Sequence, residues 1–315
     1  MTILNGIEPR GTHHCETTTL GVLLRHEGLD LSEPMLFGLG SGLSFVYWES
    51  RAMAFPFLGG RVKPFELTRN LTARLGLTLR VAETTSRRKA WDNAAASIDA
   101  GRPVGLQLDC HHLDYFTTKV HFGGHVVAMY GYDEHDVHLI DTAGQGGAVR
   151  TGRESLAAAR AERGPMTARN RSFTITLPER VPRWQDQIVP AIRECARTFL
   201  TPPIGNLGCR GIDKASLRIP KWRLPEEDLR RIAFLMEKGG TGGALFRALY
   251  RDFLGECAEL VDDPAISTAH TLFTEAAAGW TEVAALVAET RLAEAGAILH
   301  ELSIVEKNAM MALSQ

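Results

Sequence analysis

The sequence predicts an α+β protein in two parts, a mixed first half of short helices and strands and a second half that is nearly all helix. Three observations carry that reading. Dense apolar runs at Val126–Tyr130 and Val137–Ile140, and strict alternation at Phe173, Ile175 and Leu177, are the pattern of strands. From Glu226 onward apolar residues recur at three- and four-residue intervals, as on one face of a helix. Between the two regimes Pro182, Pro190, Pro202, Pro203, Pro220 and Pro225 punctuate the chain after Pro178, and no convincing strand follows them. The boundary is placed near residue 180, giving domains of 1–180 and 181–315. Two domains suit 315 residues, because one core seldom grows beyond about 250–300.

Each element has a local reason. Cys15 to Glu27 carries Leu20, Leu23 and Leu24 at helical spacing and meets a stop at Gly28. Pro64 to Leu75 opens on a proline suited to a first helical position, shows a Leu67, Leu71, Leu75 stripe and ends before Gly76. Leu77 to Val81 alternates as a strand does. Trp91 to Ala100 reads as a helix closed by Gly101, and Pro103 to Leu108 as a buried strand. The polar stretch Gly131–Asp136 joins the two dense runs into a hairpin, and Arg171 to Leu177 adds a strand. Helices are expected at Glu226–Glu237, Gly242–Leu260, Thr268–Ala288 and from Thr290 onward. There is no internal repeat.

Composition removes several classes of function. Hydrophobic residues at 44% and charged residues at 23% are globular values. With 35 basic and 37 acidic residues the net charge is −2, which argues against a protein that works through bulk attraction to nucleic acid or an anionic membrane. No apolar run reaches the roughly 18 residues a membrane-spanning helix needs. Met1-Thr2-Ile3-Leu4-Asn5-Gly6 lacks the basic-then-apolar pattern of a signal peptide. The cysteines at 15, 110, 195, 209 and 257 are odd in number and include no Cys-x-x-Cys pair, which disfavours a disulfide framework. A cytoplasmic location is expected.

The chemistry-bearing residues begin with Cys15. It sits at the expected first turn of a helix behind Gly11-Thr12-His13-His14. Unpaired backbone N–H groups and the positive end of the helix dipole favour a thiolate there. A nucleophilic thiolate needs a base, and that base needs a third group to fix its tautomer. His125 opens one strand of the hairpin and Asp141 closes the next, so the hairpin brings their ends together. A helical Cys, then a strand His, then an Asp is the chain order of papain-like cysteine enzymes. Taken singly, each residue also has a plain structural reading: a small buried thiol, a core imidazole and a turn carboxylate.

Other clusters are weaker. His13, His14, His111, His112 and His121 are numerous, but no ligand spacing fits and no metal is expected. His14 suits a donor toward an oxyanion beside Cys15. No glutamine precedes Cys15, so the oxyanion site is unassigned. Gly38-Leu39-Gly40-Ser41-Gly42 is no nucleotide loop; Gly40 and Gly42 mark a close backbone approach, with substrate contact one expectation. Gly239-Gly240-Thr241-Gly242-Gly243 before a helix, with Arg247 one turn in, suits an anion such as a phosphate on Thr241, Gly242 and Arg247, with a flexible loop as the alternative. Cys195 and Cys257 read as ordinary helix residues.

These residues resemble the butirosin biosynthesis protein H family, whose N-terminal domain is similar to the papain-like fold of bacteriocin-processing peptidases. The resemblance rests on Gly11–Cys15, Leu31–Gly40, Gly101–Val104, His125–Asp133 and Asp141-Thr142. The second half is similar to the helical domain of unknown function that commonly follows, through Gly239–Tyr250, Phe253-Leu254 and Trp280. The resemblance implies an acyltransferase of natural-product, or antibiotic, biosynthesis that moves an acyl or aminoacyl group from an acyl-carrier-protein thioester to an amine. Cys15 would be the nucleophile, His125 the base and Asp141 its orienter. Phosphopantetheine would enter only as the carrier's prosthetic group, with no resident cofactor. The alternatives are a cysteine peptidase or amidase using the same residues, and a non-catalytic binding protein on that fold. An acidic carrier would suit Arg218, Lys221, Arg223, Arg230 and Arg231, and the stripe Leu272, Ala276, Trp280, Val283, Leu286 suits a homodimer as readily as a domain interface.

Overall fold

The computed structural model describes residues 2–51, 53–164, 166–179 and 183–315. In chain order it contains strand β1 (Thr2–Ile3), helices α1 (Cys15–His26) and α2 (Glu33–Leu39), strands β2 (Leu43–Trp48) and β3 (Phe57–Arg61) and helix α3 (Glu66–Arg74). Then come β4 (Thr78–Ala82), α4 (Arg87–Asp99), β5 (Val104–Leu108), β6 (His125–Tyr132), β7 (Asp136–Ile140), β8 (Ala148–Gly152), α5 (Arg153–Ala161) and β9 (Ser172–Thr176). Among the described residues the elements that follow are all helical: α6 (Ile188–Leu200), α7 (Gly208–Arg218), α8 (Glu226–Lys238), α9 (Arg247–Leu260), α10 (Pro264–Ala288) and α11 (Leu292–Leu313).

These elements form two compact units, Met1–Leu36 with Thr68–Pro182, and Phe37–Leu67 with Arg183–Gln315. The boundary expected near residue 180 falls at residues 180–182, outside the described ones. Residues 37–67, which the sequence reading assigns to the first domain, group with the second unit.

The first unit is built on an antiparallel sheet ordered β4-β9-β5-β6-β7-β8, with β1 added to β6. Strand β5 is central and buried at every position; its one polar side chain, Gln107, donates to Gly123 O at 2.9 Å. Neighbouring residues of β6 serve opposite faces. Val127 and Met129 join Leu106 and Leu139 beneath Ala94 and Ile98 of α4 and Leu156 and Ala159 of α5. Ala128 instead meets Val22 of α1, together with Ile140. Helix α1 is thereby held against β6, with its first residue, Cys15, at the sheet.

The second unit pairs the β2–β3 hairpin with helices α6 to α11. Helix α10 starts on Pro264 behind Asp263, whose side chain accepts from the Ala265 N–H at 2.9 Å, a standard N-cap. In the expected apolar stripe Leu272 is half-buried, while Ala276, Trp280, Val283 and Leu286 are buried, and α10 packs on α8, α9 and α11 of its own unit.

Arg247 and Glu306 form the electrostatic centre of this unit. Both are 0% exposed. Arg247 Nε and Nη2 donate to Glu306 Oε1 and Oε2 at 2.9 Å each, Nη1 donates to Leu245 O at 2.9 Å, and the guanidinium lies 4.6 Å above the Trp280 ring. Trp280 Nε1 donates to the same carboxylate. The pair is bidentate and its remaining valences are met, as a buried ion pair requires. Glu306→Gln strands the guanidinium without its counter-charge. It is expected to lower unfolding stability by about 3–5 kcal/mol, read as a lower denaturant midpoint for this unit's helices by circular dichroism. An unchanged midpoint would contradict that role.

Candidate functional site

Helix α1 begins at Cys15, whose N-cap, His14, is extended at φ −107° and ψ 122°. The turn ahead of it is anchored by one carboxylate. Glu33, in the first turn of α2, accepts the backbone N–H groups of Thr12, His13 and His14 at 3.0, 3.3 and 2.8 Å, and the hydroxyls of Thr12 and Thr17 at 3.0 and 3.1 Å. Gly11 passes so close to helix α1 that a Cβ would lie 1.8 Å from Thr18 Oγ1, which accounts for its glycine. Cys15 is 8% exposed.

The hairpin register sets the other two groups side by side. Ala128 opposes Ile140 across β6 and β7, so the start of β6 lies along the end of β7. His125 Nε2 is 2.7 Å from Asp141 Oδ2. The same oxygen accepts the Tyr115 hydroxyl at 2.8 Å, while Oδ1 accepts the Thr142 N–H at 2.7 Å. Asp141 is 0% exposed, and these three donors are what make an ionised carboxylate tolerable there.

Cys15 lies near enough to His125 for its charge to act on the ring. Burial by itself would push the His125 pKa down. The negative charge of Asp141, with a further contribution from Cys15 and the hydrogen bond to Asp141, outweighs burial, so the imidazole is held well above its ordinary value.

Three contributors to this neighbourhood escaped sequence reasoning. Tyr115 lies in the polar loop between β5 and β6, where no periodicity marks it. Burial, then the charge and hydrogen bond of Asp141, push its hydroxyl upward, so it remains a donor at ordinary pH. Phe116 packs edge-on against the His125 ring at 5.3 Å. Cys110 is also close enough to feel His125 and Cys15, but burial pushes its thiol up and it donates to Val120 O at 3.3 Å. Tyr115→Phe leaves Asp141 with one donor fewer on Oδ2. It is expected to lower turnover by roughly 10-fold, about the worth of a hydrogen bond to a charged group, with little change in KM. Unchanged turnover would rule out a positioning role.

The residues expected to bind substrate have internal packing and hydrogen-bonding duties. A Cβ at Gly40 would lie 2.7 Å from Leu67 Cγ, and one at Gly42 2.7 Å from the Phe37 ring, so packing accounts for both. Thr241 is buried and its hydroxyl donates to Met236 O at 2.9 Å. The helix expected from Gly242 starts at Arg247, because Gly242, Gly243, Ala244, Leu245 and Phe246 all have positive φ, between 49° and 91°. Arg247 is paired with Glu306 and fully buried. His14 is buried with Nδ1 3.3 Å from Thr17 Oγ1 of its own helix. In the expected basic patch, Arg218 pairs with Glu49 and Arg230 with Glu226.

His112, His121 and Glu162 gather with one potential ligand atom each, all within 4.8 Å of one another, a grouping that no spacing in the sequence suggests. Cys195, Cys209 and Cys257 are buried and outside any disulfide, and the first two donate to Leu43 O and Leu200 O. No described helix is long and apolar enough to cross a membrane.

Residues 14–142 match a family model described as butirosin biosynthesis protein H, N-terminal, and residues 154–313 match one described as a domain of unknown function, DUF4872. The first match runs from the residue before Cys15 to the residue after Asp141. No curated protein matches the chain.

Proposed function

We propose a function from one premise: the chain belongs to the family that joins a butirosin biosynthesis protein H N-terminal domain, papain-like and mixed α/β, to a mostly helical DUF4872 domain. Membership is consistent with the processing of acyl or amide groups. The finer reading is a cysteine-dependent acyltransferase that takes an acyl or aminoacyl group from an acyl-carrier-protein thioester and delivers it to a small amine. The observation that supports it is the buried His125–Asp141 pair, with His125 held well above its ordinary pKa and Cys15 near enough to contribute to that shift.

In the forward step the Cys15 thiolate attacks the thioester carbonyl carbon. A new C–S bond forms, and the carbonyl π electrons move onto oxygen. The Cys15 backbone N–H, free at the helix start, is the proposed donor to that oxyanion; the N–H groups of Thr12, His13 and His14 are taken by Glu33. On collapse the pantetheine sulfur leaves and takes the proton from His125. An amine then attacks the acyl-enzyme, His125 accepts its proton, and Cys15 departs as thiolate. The products are an amide and a free carrier thiol. Asp141 orients the ring and balances its charge throughout.

Water in place of the amine gives hydrolysis, the peptidase or amidase reading. The two are separated by partitioning: the chain is incubated with an acyl-N-acetylcysteamine thioester and rising concentrations of a primary amine. Transfer predicts amide that grows at the expense of free acid. Acid formation indifferent to amine supports the hydrolase, and no turnover of thioester or amide supports a non-catalytic binding protein.

A further inference from the structure

We propose that His112, His121 and Glu162 form a binding site for a divalent transition-metal ion of the zinc class. The loop between β5 and β6 supplies both imidazoles, and Glu162 directly follows α5. His112 Nε2 lies 2.6 Å from Glu162 Oε2, and each of the three offers a ligand atom within 4.8 Å of the others. A tetrahedral zinc with bonds of about 2.0–2.1 Å spaces its ligand atoms by roughly 3.4 Å. Side-chain movements of about an ångström therefore close the cluster on an ion. The side chains have that freedom, at 27%, 60% and 32% exposed for His112, His121 and Glu162.

The surroundings are those of a ligand set rather than of a chance cluster. His121 Nδ1 faces Asp109 Oδ2 at 3.4 Å, which leaves Nε2 for the metal and reproduces the carboxylate–histidine–metal relay common at zinc sites. Asp109 is itself fixed: its Oδ1 accepts the N–H groups of His111 and Phe122 at 2.9 and 3.2 Å. His111 stacks on His121 with centroids 3.9 Å apart and packs edge-on against His112 at 5.1 Å, so one further imidazole touches both liganding rings. Two imidazoles and one carboxylate suit zinc, cobalt or nickel better than magnesium or calcium. A cavity of about 270 Å³, lined by Asp109, His121, Gly123, Glu162, Gly164 and Thr167 among others, adjoins the cluster, so a fourth position is open to water. Between His112 and His121 the loop carries Tyr115, the donor to Asp141. The ion would brace that loop across to the end of α5.

The test uses the full chain carrying Cys15→Ala, which removes a thiolate that would itself bind zinc, dialysed free of metal. Titration with Co²⁺, read by its visible d–d absorption, is expected to saturate at one equivalent, with Zn²⁺ displacing it. His112→Ala and His121→Ala should each abolish that band, and Asp109→Asn should weaken binding by roughly 10–100-fold. Zn²⁺ should also raise the melting temperature of the parent chain but not of the His121→Ala variant, whose exposed position leaves folding intact. Absence of the band from the parent chain, or its persistence in either histidine variant, overturns the site.

Discussion

Cys15→Ala is expected to reduce kcat/KM for a thioester donor by at least roughly 10⁴-fold, the scale on which loss of a nucleophile removes covalent catalysis. No neighbouring thiol can substitute. Cys110 is near, yet burial raises its pKa and its sulfur is engaged with Val120 O, so it stays a protonated, weakly nucleophilic group. Cys15→Ser should be nearly as inactive, because a hydroxyl paired with the same imidazole keeps its proton far more tightly. Both variants should fold normally, since Cys15 contributes one small side chain at the edge of the core. Amide formed from donor and amine, measured over initial rates, is the readout. Activity within 10-fold of the unsubstituted chain would place the nucleophile elsewhere.

Asp141→Asn should be nearly as damaging for a different reason. The substitution keeps the shape but removes the charge that does most to outweigh the desolvation of His125. An amide facing Nε2 is also ambiguous as donor or acceptor, so the ring loses its fixed tautomer. A loss of roughly 10³–10⁴-fold in kcat is expected, as when the orienting carboxylate of a triad is neutralised. The pH dependence supplies a sign. His125 is raised in the native protein, so its imidazolium, the proton donor to the departing thiol, survives to higher pH and is lost as pH rises through that raised value. In Asp141→Asn burial acts with less opposition, the imidazolium is lost earlier, and the alkaline limb of the kcat/KM profile moves to lower pH. A limb that stays in place, or moves up, would mean that Asp141 does not control this histidine.

Much of this arrangement was legible in the sequence, and the reasons are local. A glycine-led turn before Cys15 marks a helix start, and the hairpin from His125 to Asp141 is dictated by dense β-type runs around a polar turn. Those two features alone bring the side chains to neighbouring strand ends. Strands β2 and β8 were not legible, because β2 mixes aromatic and polar residues between glycine and serine and β8 is an edge strand with little burial. The start of α9 was misread for a physical reason: glycine tolerance continues into Ala244, Leu245 and Phe246, which adopt positive φ against their own preference. What stabilises that run is Arg247, held by a partner 59 residues away. Tyr115 acts through one hydrogen bond made across the fold, Glu33 through several to the turn before Cys15, and His112 meets a carboxylate 50 residues on. Contacts of that kind leave no spacing to read. The grouping of residues 37–67 with the second unit likewise has no marker, since composition does not change at either end.

The central proposal is that the sulfur of Cys15, served by His125, takes the acyl group from its donor. Intact-protein mass spectrometry after brief exposure to an acyl thioester without amine, followed by peptide mapping, tests it most directly. The account predicts one acyl adduct per chain, confined to the peptide bearing Cys15, absent from Cys15→Ala and discharged on adding amine. An unmodified chain, an adduct mapped to Cys110 or any other residue, or one that survives in Cys15→Ala, would contradict it.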